Sequence, residues 1–445
     1  MKIKKVLASL AVGVAMLATA GIAAADTYDI NIYGASAQFT FWNQVAPDWI
    51  HQLTGCSGAT VTSKQFDGNN KINFATCNGN TYNVRVSSKA SFDGILALKG
   101  DDSMASSGST AEKCSSGDPG DPGASLRPYY RKMVDESSCS GTSCTSLKCV
   151  RVVVGASDVA GASFKQSSHG NLKGTSSSAM TDRSFSGIST SGLSYKKPFV
   201  VPFAFFVNTQ NSTLNTAMNN NITRMMAVLL FSGQIDNWSE LGSSYPDLHT
   251  TVCLRHAGSG THSTLDFAVL RGNGWGALPA STQNTSFNAS PLPAYDSGLA
   301  DLYFSDGTGD ELNCINNHEG AIGYADADKV SVTGTCPSCT VDYTTVVSGT
   351  TTYSNMKEIK YQGEYAAADA IKNGRYDFWT NEWAYYDGTY VSGISGLTNL
   401  LTKTTAPKGI LSYVTGNIPN GELPFWADQA DVTFEKGTDQ AYPQR

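Results

Sequence analysis

Positive charge is scarce in this 445-residue chain: Lys and Arg number 31, against 38 Asp and Glu. Such an acidic balance disfavours nucleic acid and anionic membrane surfaces as partners. Histidine is also scarce, at 6 residues, and the sequence has no His-rich cluster, no nucleophile elbow and no suggestive pair of acids. We therefore expect no metal, no organic cofactor and no enzymatic activity.

Long apolar runs are also rare, and the one that stands out lies at the N terminus. Three lysines in the first five residues precede the apolar run Val6 to Ile22 and the small residues Ala23 to Ala25. This order is typical of a signal peptide, so we predict export to the periplasm or the extracellular space, with cleavage before Asp26. The alternative, a membrane anchor, is less favoured because the run is short for a bilayer span. No Cys marks the cleavage site for lipidation.

Cysteine is abundant, with ten residues, and an even number in an exported chain indicates disulfides. Cys56 with Cys77, and Cys253 with Cys314, are plausible pairs, although sequence does not establish the connectivity. We expect the two cysteines of Cys336-Pro-Ser-Cys339 to have a structural role. The alternatives are a redox motif and half of a zinc site. Four cysteines lie in a Ser-, Gly- and Asp-rich stretch, about residues 101–149, which we predict to be an inserted surface loop.

Apolar patterns of strand and helix type alternate along the chain, which favours an α/β fold with mostly parallel pairing. The mature length of about 420 residues exceeds one hydrophobic core, so we expect two lobes. Predicted strands cover Asp29–Tyr33, Val150–Val154 and Phe199–Val207. Helical spacing extends from Trp42 to Leu53, where Pro47 should kink or restart the helix. We predict a further helix over Tyr365–Lys372 and a hairpin over residues 331–356.

The most informative segment is Arg255-His-Ala-Gly-Ser-Gly-Thr-His262, which connects a predicted strand to a predicted helix. A Gly-Ser-Gly-Thr turn at a helix start leaves backbone N–H groups unpaired and adds two hydroxyl donors at the positive end of the helix dipole. Arg255 adds a planar guanidinium suited to an oxyanion. The alternative is a Gly-rich loop with an ordinary helix cap.

Three further segments resemble strand-to-helix turns: Gly34–Phe39, Ser87–Ser91 and Gly155–Asp158. Each alone is typical of an ordinary helix cap. Together with the Arg255 segment they favour several helix starts that converge on an anion in a cleft at strand carboxyl ends.

The set of segments resembles the phosphate-binding proteins of bacterial ABC importers, from about residue 29 to about residue 390 and in the same order. Besides the four turns, Phe199–Asn208, Phe231–Trp238 and Gly320–Tyr324 resemble segments of that family. The resemblance implies a two-lobed periplasmic-binding-protein fold, with a mixed, mainly parallel sheet flanked by helices in each lobe, a hinge and a central ligand cleft. It also implies capture of a tetrahedral oxyanion, chiefly phosphate, for an ABC permease in the inner membrane.

The resemblance further implies a lobe 1 made of residues 26–203 and 325–445, and a lobe 2 made of residues 204–324. We expect a monomer. The implied ligand-binding residues, from both lobes, are Gln38, Phe39, Ser88, Asp158, Arg255, Gly258, Ser259, Gly260 and Thr261. Ser88 is the least defined of them, since Ser87 or Ser91 could take its place.

Two positions depart from the family pattern: Ala257 stands where the family has Asp, and Gln38 where it has Thr. Selection of a protonated oxyanion would then depend on Asp158, whose carboxylate needs a proton donor on the ligand. His256 and His262 could add charge at lower pH. These departures leave the ligand open: it could be arsenate, another oxyanion or an organic phosphate, or the binding site could be lost. Two other functions also stay open, a weak secreted phosphatase and a non-transport interaction protein at the cell surface.

Overall fold

The structure, a computed structural model, describes residues 26–105, 112–168, 183–218, 221–271, 301–419 and 423–445. The predicted signal peptide, residues 1–25, lies outside the described residues. In the described part of the chain, no helix combines the length and apolar character needed to cross a membrane.

Strands and helices alternate along most of the chain. The strands are β1 (Thr27–Ala35), β2 (Thr62–Asp67), β3 (Asn70–Cys77), β4 (Asn80–Lys89), β5 (Tyr130–Val134), β6 (Cys139–Ser140), β7 (Ser143–Cys144), β8 (Leu147–Arg151), β9 (Val154–Ser157), β10 (Ser167–Ser168), β11 (Arg183–Ser184), β12 (Ser194–Lys196), β13 (Phe199–Asn208), β14 (Asn221–Ile222), β15 (Thr251–Arg255), β16 (Asp301–Ser305), β17 (Ala321–Asp326), β18 (Val330–Thr333), β19 (Thr340–Ser348), β20 (Thr351–Tyr353), β21 (Met356–Tyr361), β22 (Trp379–Asn381), β23 (Trp383–Tyr386) and β24 (Ala427–Asp428).

The helices are α1 (Phe39–Gln52), α2 (Ser91–Leu98), α3 (Ser212–Ala217), α4 (Arg224–Phe231), α5 (Gly260–Thr264), α6 (Thr308–Asn317), α7 (Ala368–Lys372), α8 (Gly388–Ser392), α9 (Leu397–Thr402) and α10 (Ile410–Tyr413). A π-helical turn, Leu265–Val269, continues α5.

The first sheet has nine strands in the order β12-β23-β9-β1-β4-β3-β2-β7-β6. Strand β1 pairs in parallel with β4 and with β9. Successive side chains of a strand point to opposite faces. Ile32 accordingly packs in the same apolar cluster as Trp42 of α1, whereas Tyr33 packs with Ile95 of α2. The sheet therefore carries α1 on one face and α2 on the other.

The second sheet follows the order β14-β21-β13-β17-β15-β16. Strand β13 is buried along its whole length, and its first half also pairs with β22 and β24. The chain passes from the first sheet to the second between β12 and β13, and it returns between β22 and β23. The lobe boundaries at residues 204 and 325 stay a prediction, and the pairing adds that β21 belongs to the second sheet.

Both sheets are mixed, as predicted, but their pairing is not mainly parallel. Strands β2, β3 and β4 form an antiparallel meander, and β13 runs antiparallel to β17, β21, β22 and β24. Short connections explain the meander, because adjacent strands joined by a few residues pair antiparallel. They do not explain β13, whose antiparallel partners follow it by more than 100 residues. Parallel pairs remain where helices intervene, as around β1 and β15.

All ten cysteines are paired. The predicted pairs Cys56–Cys77 and Cys253–Cys314 are confirmed, and Cys336 pairs with Cys339. The remaining pairs are Cys114–Cys149 and Cys139–Cys144, both within the inserted stretch. Five disulfides fit an oxidising compartment.

The inserted stretch is more ordered than a surface loop. Strands β5 and β8 form an antiparallel pair, and β6 and β7 extend the edge of the first sheet. Met133 and Val134 of β5 are fully buried. The Ser, Gly and Asp content of the stretch hid this short apolar strand from composition-based prediction.

One local prediction was wrong. Residues 150–154 do not form one strand: β8 ends at Arg151, and β9 begins at Val154 in another sheet. Gly155, Ala156 and Ser157 therefore lie within β9, and Asp158 follows a strand end without starting a helix. At Pro47 the helix does not restart, since α1 runs from Phe39 to Gln52, and the alternative of a kink stays a prediction.

Candidate functional site

Arg255 lies at the carboxyl end of β15, at the edge of the second sheet that faces the first. Its side chain is almost completely buried, at 1% exposure. Nη1 donates to Thr308 Oγ1 at 2.9 Å and contacts Ser36 Oγ at 3.5 Å, and Nη2 donates to Asp306 O at 3.1 Å. Within the described residues, its Nε makes no hydrogen bond. A buried guanidinium with a spare donor is suited to a planar pair of oxyanion oxygens.

Asp158 follows β9 in the first sheet and is also buried, at 1% exposure. Its Oδ1 accepts a hydrogen bond from Gln38 Nε2 at 3.0 Å, and its Oδ2 accepts one from Ser91 Oγ at 3.1 Å. Gln38 is held in turn by Trp42, whose Nε1 donates to Gln38 Oε1 at 3.0 Å. The departure from Thr to Gln at position 38 thus places a side-chain donor on the carboxylate of Asp158.

The turn after Arg255 joins the two sheets directly. Gly260 N donates to Ser91 Oγ at 3.2 Å, and Phe92 N donates to Gly258 O at 3.2 Å. A Cβ on Gly260 would lie 2.7 Å from Asp158 Cβ, and a Cβ on Gly258 would lie 2.1 Å from Phe92 Cδ1. Only glycine fits at these two positions, because the start of α2 packs against their backbone.

Ser259 and Thr261 occupy the start of α5. Ser259 is its N-cap, and its hydroxyl accepts from His262 N at 3.4 Å. Thr261 is 1% exposed, and its Oγ1 has no hydrogen-bond partner in the part of the chain that the structure describes. A buried hydroxyl without a partner costs about 1–3 kcal/mol, so it favours a bound acceptor.

Phe39 and Ser88 lie elsewhere in the cleft. Phe39 begins α1, and Ser88 lies in β4 opposite Gly34 of β1. Both line a cavity of about 700 Å³ between the sheets, and Ser88 does not contact Asp158 among the described hydrogen bonds. Ser91 is the serine that bonds Asp158, so it is a better candidate than Ser88 for the site.

Burial dominates the electrostatics of the acids around Arg255. It raises the pKa of Asp158 to about 7, with a further contribution from the negative charge of Asp326 and opposition from Ser91, Arg255 and Gln38. Burial also raises the pKa of Glu382, which lies where the chain returns from β22 to β23. Since desolvation penalises the charged form, burial shifts both carboxyl groups toward their protonated forms.

His262 is a neutral member of the site. Burial and, secondarily, the positive charge of Arg255 lower its pKa to about 3. Its Nδ1 lies 2.7 Å from Tyr324 Oη, which accepts a hydrogen bond from Arg255 N at 3.0 Å. The expectation that His262 adds charge at moderately low pH is therefore wrong. His256 lies closer to the cavity, with its Nδ1 accepting from Gly258 N at 3.0 Å.

Sequence analysis named Ser91 only as an alternative to Ser88, and it did not single out Ser36 or Thr308. Ser36 and Ser91 lie inside two of the predicted turns, Gly34–Phe39 and Ser87–Ser91. Thr308 lies at the start of α6, 53 positions from Arg255, and no local pattern connects the two. No group of three potential metal ligands occurs in the described ranges.

The fold and the site together define a mixed α/β protein with a buried polar site between its two sheets. A sequence profile of the PBP superfamily domain matches residues 58–405. The chain belongs to this superfamily. No curated protein matches the chain.

Several solved structures are similar to the chain, at low identity. A substrate-binding protein assigned to a phosphate ABC transporter of Clostridium perfringens, with bound phosphate, is 13% identical over 83% of this chain and 89% of its own, with a TM-score of 0.41. An ABC-type phosphate transport receptor from Vibrio cholerae is 13% identical over 81% and 87%, at 0.35. A phosphate-binding protein from Stenotrophomonas maltophilia is 12% identical over 89% and 91%, at 0.37.

Proposed function

We propose that this chain captures a tetrahedral oxyanion, phosphate or a phosphate derivative, between its two lobes as an exported solute-binding protein. The observation that carries the proposal is the buried guanidinium of Arg255 at the junction of the sheets, with a spare Nε–H beside an acid-rich pocket. A buried cation needs an anionic partner. No carboxylate forms an ion pair with Arg255 among those that the structure describes, so a bound anion would supply the missing charge.

Hydrogen-bond donors support an oxyanion as that partner. Thr261 offers a hydroxyl without a partner, and Ser36 and Thr308 place hydroxyls on the guanidinium of Arg255. Hydroxyl groups and guanidinium N–H groups are the donors that oxyanions accept. Gln38, Phe39, Ser88, Asp158, Gly258, Ser259 and Gly260 complete the ligand-binding set that we propose, with Ser91 added.

Asp158 supports selection of a protonated oxyanion. A carboxylate beside an anion is repulsive unless one of the two carries a proton that they share. Each oxygen of Asp158 accepts one protein hydrogen bond, and each has a second lone pair available for a ligand hydroxyl. Phosphate carries such a hydroxyl at neutral pH and sulfate does not, so we expect phosphate to bind more tightly.

Two short crossings between the sheets support a hinge, at residues 197–198 and at Glu382. Lobe closure around a ligand at such a hinge is a known type of conformational change. We propose that the closed form delivers the ligand to an ABC permease in the inner membrane, that the chain acts as a monomer in the periplasm or outside the cell, and that no chemical step occurs at the site. Turnover of a chromogenic phosphate ester would contradict the last point.

Isothermal titration of the chain without residues 1–25 tests the proposal, with phosphate, arsenate and sulfate as ligands. Arg255→Gln should abolish binding, because the buried cation is lost. Arg375→Gln is the matched control, since Arg375 is an exposed guanidinium that pairs with Glu364 and Asp369. Absence of heat and of a thermal shift with all three anions would overturn the proposal, as would an Arg255→Gln variant that binds normally.

A further inference from the structure

The cavity between the sheets has a volume of about 700 Å³, which is far more than a tetrahedral ion fills. Water occupies about 30 Å³ in the liquid, and an oxyanion with four oxygens occupies only a few times as much. Sites for organic ligands usually enclose about 300–1,000 Å³. The cavity is therefore of the size that an organic ligand needs.

The cavity ends at two hydroxyl groups that contact Arg255. They belong to Ser36, which follows β1, and to Thr308 of α6, and their oxygens lie 3.4 Å apart. Both hydroxyls also contact Arg255 Nη1, and the carbonyl that accepts from Nη2 belongs to Asp306, another lining residue. One pair of hydroxyls thus separates the cavity from the guanidinium. A phosphoryl group that reaches Arg255 from the cavity would replace the contact between these two hydroxyls with hydrogen bonds to its own oxygens, and its substituent would stay in the cavity.

The walls favour an uncharged organic group that forms hydrogen bonds. Lys89 pairs with Glu112 at 3.0 Å and Lys329 pairs with Asp326 at 3.3 Å, so the two lining lysines have carboxylate partners. Asp310 adds a further carboxyl group. Additional phosphates or carboxylates on a ligand would meet like charge there.

Amide and hydroxyl side chains complete the lining and suit a polyhydroxyl group. Asn69 and Ser88 lie on the wall of the first sheet, and Asn313 and Thr351 lie on the opposite wall. Amide and hydroxyl groups both donate and accept hydrogen bonds, as sugar hydroxyls require of their partners. Aromatic contact is available from Phe39 and Tyr353.

The hydrogen-bond acceptor near Arg255 also favours a phosphate monoester. Each P–OH group of a buried ligand needs an acceptor. Asp158 is the carboxylate bonded to Ser91 and Gln38, and each of its oxygens already accepts one hydrogen bond. In their monoanionic forms, a monoester carries one P–OH group and inorganic phosphate carries two. The monoester monoanion therefore matches this single carboxylate, because its one P–OH has one acceptor.

We propose that the ligand is a phosphate monoester of a polyhydroxyl compound, of the sugar phosphate class, with its phosphoryl group at Arg255 and its sugar in the cavity. The inference depends on the proposed oxyanion function and refines its ligand. It predicts that ester and inorganic phosphate differ in affinity, and that the difference arises from the cavity.

The test compares glucose 6-phosphate, inorganic phosphate and glucose by isothermal titration. Gly309→Leu should fill the cavity, because Gly309 lines it and a Cβ there has no atom within 4 Å. Gly68→Leu does the same from the opposite wall. Gly58→Leu is the matched control, since Gly58 is equally open but does not line the cavity.

We expect glucose 6-phosphate to bind at least about tenfold more tightly than phosphate, and glucose alone not to bind. Each filling variant should weaken glucose 6-phosphate about tenfold and leave inorganic phosphate unchanged, whereas the control should change neither. Phosphate binding with equal or weaker ester binding would overturn the inference and leave the oxyanion function intact. Filling variants that bind the ester normally would also overturn it. Absence of binding by both phosphate compounds would overturn both proposals.

Discussion

Raising the pH through neutrality should destabilise the folded chain by charging Asp158. Its pKa in the folded protein is about 7, against an ordinary value of 3.8, because the carboxyl is buried. Below about pH 4 the carboxyl is protonated in both the folded and the unfolded chain. Between about pH 4 and pH 7 the folded chain holds the extra proton, so stability falls as the pH rises. The difference between 3.8 and about 7 corresponds to about 4 kcal/mol.

Guanidinium unfolding of wild type and Asp158→Asn, each from pH 4 to pH 8.5, measures this contribution. Burial raises the pKa of Glu311, Glu358 and Glu382 as well, so the absolute slope belongs to several groups. The difference between the two chains isolates Asp158, because Asn does not titrate. As the pH rises across this range, the free energy of unfolding of wild type should fall by about 4 kcal/mol relative to that of the variant. A difference that stays constant with pH would refute the reasoning.

Three further predictions concern packing and crosslinks. Gly94→Ala should destabilise by about 1–3 kcal/mol, because its Cβ would lie 2.6 Å from Tyr33 O. The control Gly58→Ala, with open space around it, should stay within about 1 kcal/mol of wild type; equal effects in chemical unfolding would contradict this. Gly260→Ala should push the turn away from Ser91, because the new Cβ would lie 2.6 Å from Ser91 Oγ, and it should weaken phosphate affinity. An unchanged affinity in isothermal titration would argue against a role of this contact in ligand binding. Replacing both Cys253 and Cys314 by Ser should cost about 4 kcal/mol, since the disulfide spans 61 positions; a loss below about 1 kcal/mol in guanidinium unfolding would contradict this.

The sequence predicted those strands and helices whose apolar residues recur at the spacing of the element and are buried in the structure. The alternation in β1, the helical spacing of α1 and the apolar run of β13 all identified real elements. The inserted stretch was different, because β5 is a short strand, Tyr-Arg-Lys-Met-Val, that lies in a stretch rich in small polar residues. The strand around residue 150 was also misjudged, since an apolar run gives no sign of where one strand ends and another begins in a different sheet.

The site was predictable where chemistry is concentrated in one turn. Arg255, Ser259, Gly260 and Thr261 are close in sequence, and they lie together in the structure. Thr308 could not be found in this way, because its contact with Arg255 arises from the pairing of β15 with β16, which places the start of α6 beside the end of β15. Sheet register determines that neighbourhood, and register depends on long-range packing.

The glycines of the Arg255 turn have a second role that donor chemistry alone did not suggest. The sequence predicted backbone N–H groups directed at an anion, but Gly260 N–H is bonded to Ser91 and Gly258 N–H to His256. Both glycines instead remove a Cβ that would collide with the start of α2. The turn therefore holds the two sheets together through contacts that the proposed lobe opening would break. A ligand that binds Arg255 acts on the same turn, and this is how occupancy of the site would be coupled to closure.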